Sequence, residues 1–229
     1  MKETVTTCYM CDKAPTGDEH VPPKCIFPER KDLPDGVDYR KQLFTVPSCD
    51  EHNSKKSKDD EFLCYMLAMS YQINPVGRSH YTTKIRRAIN RNSSLLKMFA
   101  ITAKRVKVMS KQGGPDEESS AIRLDKDRFN RIIDRLGRAI YYLHYQEKWL
   151  KDIRYQAEFL HSTIDPENTD RSNASIEKIS KEVDYLFSNA VFYGDNPEVF
   201  KYQAVIHDDS KKMRLHFYEN CKLLLLFDS

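Results

Sequence analysis

From Phe62 to Pro115 the chain contains no aspartate or glutamate, although overall its 34 acids nearly balance 37 lysines and arginines, for a formal net charge of +3. The same stretch holds Arg78, Lys84, Arg86, Arg87, Arg91, Lys97, Lys104, Arg105, Lys107 and Lys111. Pairing within the stretch is therefore excluded. These charges either meet acids from elsewhere or face a polyanion, for which nucleic acid is the first candidate. Arg78, Lys84, Arg86, Arg87 and Arg91 are the candidate contacts. No apolar run approaches the roughly 20 residues that span a bilayer, so no membrane partner is expected. The longest run, LLLLF near the C-terminus, reads as a buried strand. The opening MKETVTTC lacks the apolar core of a signal peptide. A reducing, cytoplasmic setting is the expectation, and six cysteines there read as thiols or metal ligands rather than disulfides. There is no internal repeat and no low-complexity tract.

What is present is a chain of 229 residues, 40% hydrophobic and 31% charged, as a globular protein requires. Its first 58 or so residues are rich in proline, cysteine and turn residues and have little helical periodicity. Prolines hold VPPKCIFP out of a helix, and KQLFTVP reads as a short strand ending at Pro47. Ser57 with Asp60 fits a capping box that starts the helix DDEFLCYMLAMSYQ. TTKIRRAINRN and SSLLKMFAITAK read as amphipathic helices, and RVKVMSKQGGPDEESSAIRL as a hairpin. The strongest helical pattern is KDRFNRIIDRLGRAIYYLHYQEKWL, with Phe129, Ile132, Ile133, Leu136, Ile140 and Leu143 on one stripe. STIDPENTDRSNAS reads as a polar linker and IEKISKEVDYLFSN as a short last helix. VFKYQAVI, MRLHFY and KLLLLFD read as strands, with HDDSKK as a turn between the first two. The fold class is α+β, with a mainly helical middle and a small antiparallel sheet at the end.

Cys8-x2-Cys11 and Cys49-x2-His52 are two pairs at zinc-knuckle spacing. Four such ligands, two per turn, suit a tetrahedral Zn2+. A site closed by four protein ligands is structural, and it would hold together a module too small for a core of its own. Cys64 and Cys221 sit among apolar residues and read as core.

Together, Cys8-x2-Cys11, EHVPPKCIFP from Glu19, TVPSC from Thr45, His52-Asn53 and SKDDEF from Ser57 resemble the HNH endonucleases, the zinc-stapled branch of the ββα-metal nucleases. The motifs cover about the first quarter of the chain. The segment RIIDRLGRAIYYLHYQE resembles a recurrent piece of bacterial members, with no role implied.

The resemblance implies a zinc-bound ββα-metal module at residues 1–60 and an accessory, nucleic-acid-binding region with C-terminal strands at residues 61–229. It implies that His20 is the general base activating water. Glu19 would bind a catalytic Mg2+ or Mn2+, and Asn53 would complete that cation site. Family members usually have cysteine where this chain has His52. Zinc ligation by His52 keeps the knuckle spacing; the alternative makes His52 the metal-site histidine and leaves the zinc one ligand short. The middle asparagine of the motif is not visible, since LFT occupies its expected place.

These residue types fit phosphodiester hydrolysis. Histidine ordinarily titrates near 6.5 and serves as a base at cellular pH, while carboxylate and amide oxygens suit hard divalent cations. Asp59, Asp60 and Glu61 could add a carboxylate to the metal site, but they read more simply as acids favoured at a helix N-terminus.

The implied activity is metal-dependent cleavage of nucleic acid, DNA ahead of RNA, in restriction or phage defence. The rivals are a non-catalytic zinc module that binds nucleic acid and an RNA-directed nuclease. A homodimer is left open. Arg138-x5-His144 is similar to a HEPN ribonuclease motif, but Tyr141, Tyr142 and Leu143 fit a packing helix and no polar residue follows Arg138.

Overall fold

The computed structural model of the chain describes residues 7–53, 57–91, 102–108, 117–161 and 166–228. Strand β1 (Gly17–His20) pairs antiparallel with β2 (Thr45–Ser48), placing Glu19 opposite Val46 and His20 opposite Thr45. Pro47 has no amide hydrogen to give a ladder, which suits a two-stranded edge. Its carbonyl accepts from the Tyr9 amide at 2.9 Å, tying the N-terminal turn to β2. The connection between the strands contains 3-10 turns at Lys24–Ile26 and Arg30–Asp32. Arg40 pins it through two bonds to the Phe27 carbonyl, at 3.2 and 3.0 Å.

After β2 come the short helix α1 (Asp50–Asn53) and helix α2 (Ser57–Ala68). All residues of α2 from Phe62 to Ala68 are buried, because the helix is covered on more than one side. The Lys24–Ile26 turn packs on it, as does the long helix described below. Helix α3 (Pro75–His80) starts at Asn74, whose side chain accepts from the Gly77 amide at 2.9 Å, with Pro75 in the first turn. It continues through a wide turn, Tyr81–Ile85, into α4 (Arg86–Arg91). The helix expected at SSLLKMFAITAK lies mostly outside the described residues. The expected hairpin is present as β3 (Lys104–Val108) and β4 (Glu117–Ala121).

Helix α5 (Lys126–Tyr145) is capped by the Asp125 carboxylate, which accepts from the Arg128 amide at 3.1 Å. Its buried stripe runs through Phe129, Ile132, Ile133, Leu136 and Ile140. The expected helix ran on to Leu150, but Gln146 ends it in the left-handed region at φ 55°. The chain then turns back so that Arg138 bonds the carbonyls of Trp149 and Lys151, at 2.5 and 3.1 Å.

Strand β5 (Arg154–Ala157) precedes helix α6 (Pro166–Leu186), which is followed by β6 (Phe192–Asn196), β7 (Phe200–His207), β8 (Ser210–Phe217) and β9 (Cys221–Phe227). The five strands form one antiparallel sheet in the order β5-β9-β8-β7-β6. Two corrections follow. Much of the segment expected as a polar linker is helix from Pro166 onward, and β5 and β6 join the three expected strands.

One face of the sheet, with Met213, Leu215, Leu223 and Leu225, joins a core that also contains Cys8, Val46, Phe62 and Phe129. The other face packs Leu224 against Val183 of α6 and Phe187 just after it. There the buried Arg214 bonds Glu158 at 2.9 and 2.5 Å and Asp184 at 2.6 Å, so its charge is paired on two sides.

The sheet is also tied to the N-terminal quarter. The buried Tyr218 hydroxyl donates to the Ile26 carbonyl at 2.6 Å and therefore accepts from Nδ1 of His80, at 2.9 Å. Asn196 donates to the Lys41 carbonyl at 2.9 Å. No helix among the described residues is long and apolar enough to cross a membrane.

Candidate functional site

Cys8, Cys11, Cys49 and His52 each offer one ligand atom, and the four atoms lie within 4.8 Å of one another. Nδ1 of His52 is 3.3 Å from Sγ of Cys8, 3.6 Å from Sγ of Cys11 and 3.3 Å from Sγ of Cys49. Sγ of Cys11 is 3.8 Å from Sγ of Cys49. With usual zinc bond lengths, a tetrahedral site has S–S edges of about 3.8 Å and S–N edges of about 3.6 Å. The donor set and its spacing therefore fit a zinc ion, with His52 on the zinc side of the two alternatives.

Local backbone bonds build the site. The Cys8 amide donates to the Lys13 carbonyl at 2.9 Å, and the Cys11 amide to the Cys8 carbonyl at 3.3 Å, which folds the first pair into a tight turn. The His52 and Asn53 amides both donate to the Cys49 carbonyl at 3.0 Å, which makes the second pair the first turn of α1. Outside the ligands, Thr16 donates to Asp50 at 2.6 Å and Lys148 donates to the Cys11 carbonyl at 2.7 Å.

A second group of side chains meets beside this cluster. Glu19 and His20 of β1, Asp59 and Asp60 of the first turn of α2, and Arg135 of α5 line one small, open cleft. Val21, Leu63, Ile132, Leu136 and Ala139 form its apolar wall. Glu19 is 6% exposed, deep enough for its charge to act through little water. Tyr9, between the first two cysteines, registers this: burial, and next the nearby Glu19 carboxylate, push its phenol far above the usual range. Asp59 is held by Arg128, whose Nε donates to it at 2.9 Å.

The expected residues thus divide. Cys8, Cys11, Cys49 and His52 come together, as do Glu19 and His20. Asn53 ends α1, half-buried, and is not among the described residues that line the cleft. Of the other charged residues in the cleft, the sequence had offered Asp60 only as a less favoured extra carboxylate and had not singled out Arg135. Asp60 looked like a helix-dipole acid. Arg135 carried one signal: it falls three residues after Ile132 and one before Leu136, at the border of the apolar stripe.

The basic segment is partly neutralised at home. Lys84 lies 3.3 Å from Glu29, and Arg87 lies 2.6 Å from Asp32. A hydrogen bond from Lys31, and further the charge of Lys84, hold the Glu29 carboxyl down at about 2 against its partial burial. Arg78, Arg86 and Arg91 are exposed and make no ion pair with a described residue. Arg138 and His144 are structural: Arg138 bonds Asp134 twice at 2.8 Å, and the His144 ring packs edge-on against Tyr193 at 5.0 Å.

A scan against family models, a search of curated proteins and a search of solved structures each found no match for the chain.

Proposed function

We propose that the chain is an HNH-type, metal-dependent endonuclease that hydrolyses phosphodiester bonds in nucleic acid, with DNA as its substrate. The observation that supports this most is that Glu19, His20 and Asp60 line one cleft, next to a zinc-fitting cluster and on a hairpin followed by a helix. That order is the one a ββα-metal module requires.

In this reading His20 takes the proton of the attacking water. Glu19 and Asp60 would hold Mg2+ or Mn2+ through carboxylate oxygens, the donors such hard cations take. When bound, such a cation neutralises charge on the phosphate and on the leaving oxygen. Asn53 was expected to complete the cation site; in this reading Asp60, which lines the cleft, takes that role instead. The apolar wall of Leu63, Ile132, Leu136 and Ala139 keeps bulk water from the acids and strengthens their fields. The zinc cluster takes no part in the chemistry and ties the Cys8–Cys11 turn to the start of α1.

The alternative is a non-catalytic zinc module that binds nucleic acid. The exposed Arg78, Arg86 and Arg91 favour it. Plasmid and structured RNA, each incubated with the zinc-loaded protein in Mg2+, Mn2+ or EDTA, separate the readings. Cleavage of plasmid that needs the added cation supports a DNA nuclease. Cleavage of RNA alone moves the substrate to RNA. Binding that weakens steeply with salt, with no cleavage of either, supports the alternative.

A further inference from the structure

Helix α5 carries four arginines, Arg128, Arg131, Arg135 and Arg138, and the first and last are fixed. Arg128 is bonded to Asp59 at 2.9 Å and to the Lys58 carbonyl at 2.6 Å. Arg138 is bonded to Asp134 and to two carbonyls. Arg135, between them, lines the cleft with Glu19, His20 and Asp60, yet it makes no hydrogen bond or ion pair with any described residue. It is half-buried. Its charge is felt inside the cleft, where it pulls against the upward shift of the Tyr9 phenol, while its nitrogens are not sealed from water, and carboxylates share its cleft. A side chain placed only to neutralise them would bond them, as Arg128 bonds Asp59.

We propose that Arg135 contacts the scissile phosphate of the nucleic-acid substrate, so that the helical region completes the active site of the N-terminal module. This rests on the nuclease reading above. The charges agree with it. Arg135 brings to this cleft a positive charge, opposite in sign to the single negative charge of a phosphodiester. The planar fork of arginine matches two phosphate oxygens at once. Beside a dry apolar wall it stabilises the charge that builds up as water attacks. Its contribution is to the phosphate and not to the bases, so it should act on any phosphodiester.

The test uses the full zinc-loaded chain with two substrates, plasmid and bis(p-nitrophenyl) phosphate, which has no base to recognise. Arg135→Ala, Arg135→Gln and Arg135→Lys are compared with Arg131→Ala, an exposed position on the same helix and outside the cleft. Arg135→Ala is expected to lower kcat/KM on both substrates about 100-fold, with zinc content and melting temperature unchanged. Arg135→Lys should recover part of that loss, and Arg131→Ala should stay within about twofold of wild type on bis(p-nitrophenyl) phosphate.

If Arg135→Ala melts early, Arg135→Gln, which keeps most of the stem, decides on the same criterion. Wild-type kcat/KM on bis(p-nitrophenyl) phosphate in a folded Arg135 variant overturns the proposal, and so does a loss that only follows loss of zinc or of melting temperature. Cleavage that depends on His20 but is indifferent to Arg135 removes this proposal alone. Absence of cleavage by the wild type removes the nuclease reading and Arg135 with it.

Discussion

The ammonium of Lys148 donates to the carbonyl of Cys11 at 2.7 Å, so the loop after the long helix α5 grips the first cysteine turn from outside. The same lysine reaches Asp12 at 2.9 Å, but that carboxylate is fully exposed and the pair adds little. The buried end of the contact is what matters. It ties the first cysteine turn to the loop after α5.

Lys148→Met should therefore weaken zinc binding by about tenfold, as loss of an outer-shell partner commonly does. Competition with a chromogenic chelator measures this. Affinity equal to wild type would mean that the cysteine turn holds its shape unaided. Metal analysis of the unmodified protein should find about one zinc per chain.

Asp60 and Asn53 make opposite predictions in the cleavage assay. Asp60→Asn should cut plasmid cleavage by at least about 100-fold and raise the Mg2+ or Mn2+ concentration for half-maximal rate, because it removes a charged ligand. Asn53→Ala, outside the cleft lining, should stay within a few-fold once zinc content is matched. The reverse pattern would return the cation site to Asn53.

The zinc cluster was legible because each half is local: Cys8 and Cys11, or Cys49 and His52, lie within one turn of chain, and their side-chain chemistry is unusual. The strand at KLLLLFD was legible because it is buried on both faces and so reads as a continuous apolar run. The cleft was not. Asp60 and Arg135 meet only because α2 packs against α5 across 75 residues of sequence, and spacing along the chain does not encode that distance. Strand β5 escaped for a related reason. RYQA has one buried residue, and its strand character comes from pairing with Leu223–Leu226 of β9. The start of α6 was hidden by its polar sequence, PENTDRSN, which carries no apolar stripe.

Stability should fall with acid through His216 as well as through the zinc ligands. Burial, and then the charges of Arg214 and Lys222, press the His216 imidazole down to about 3, and its Nε2 has no hydrogen-bond partner among the described residues. The unfolded chain, with histidine near 6.5, binds that proton first. The contribution is therefore complete above about pH 6.5 and is lost as pH falls from there toward about 3. Between pH 6.5 and 4.5 it should cost roughly 2–3 kcal/mol. Denaturant unfolding of wild type and His216→Leu over that range, both zinc-loaded, isolates the effect because zinc loss is common to both. A shallower slope is expected for the variant; equal slopes would show that His216 stays neutral for no energetic consequence.

The measurement that bears most directly on the account is plasmid cleavage by His20→Ala beside wild type, both carrying zinc and both given Mn2+. The account predicts nicked and linear product from wild type and at least about a 100-fold lower rate from the variant, with the melting temperature preserved. Equal rates from the two proteins would contradict it, since water would then be activated without the imidazole on which the cleft is built.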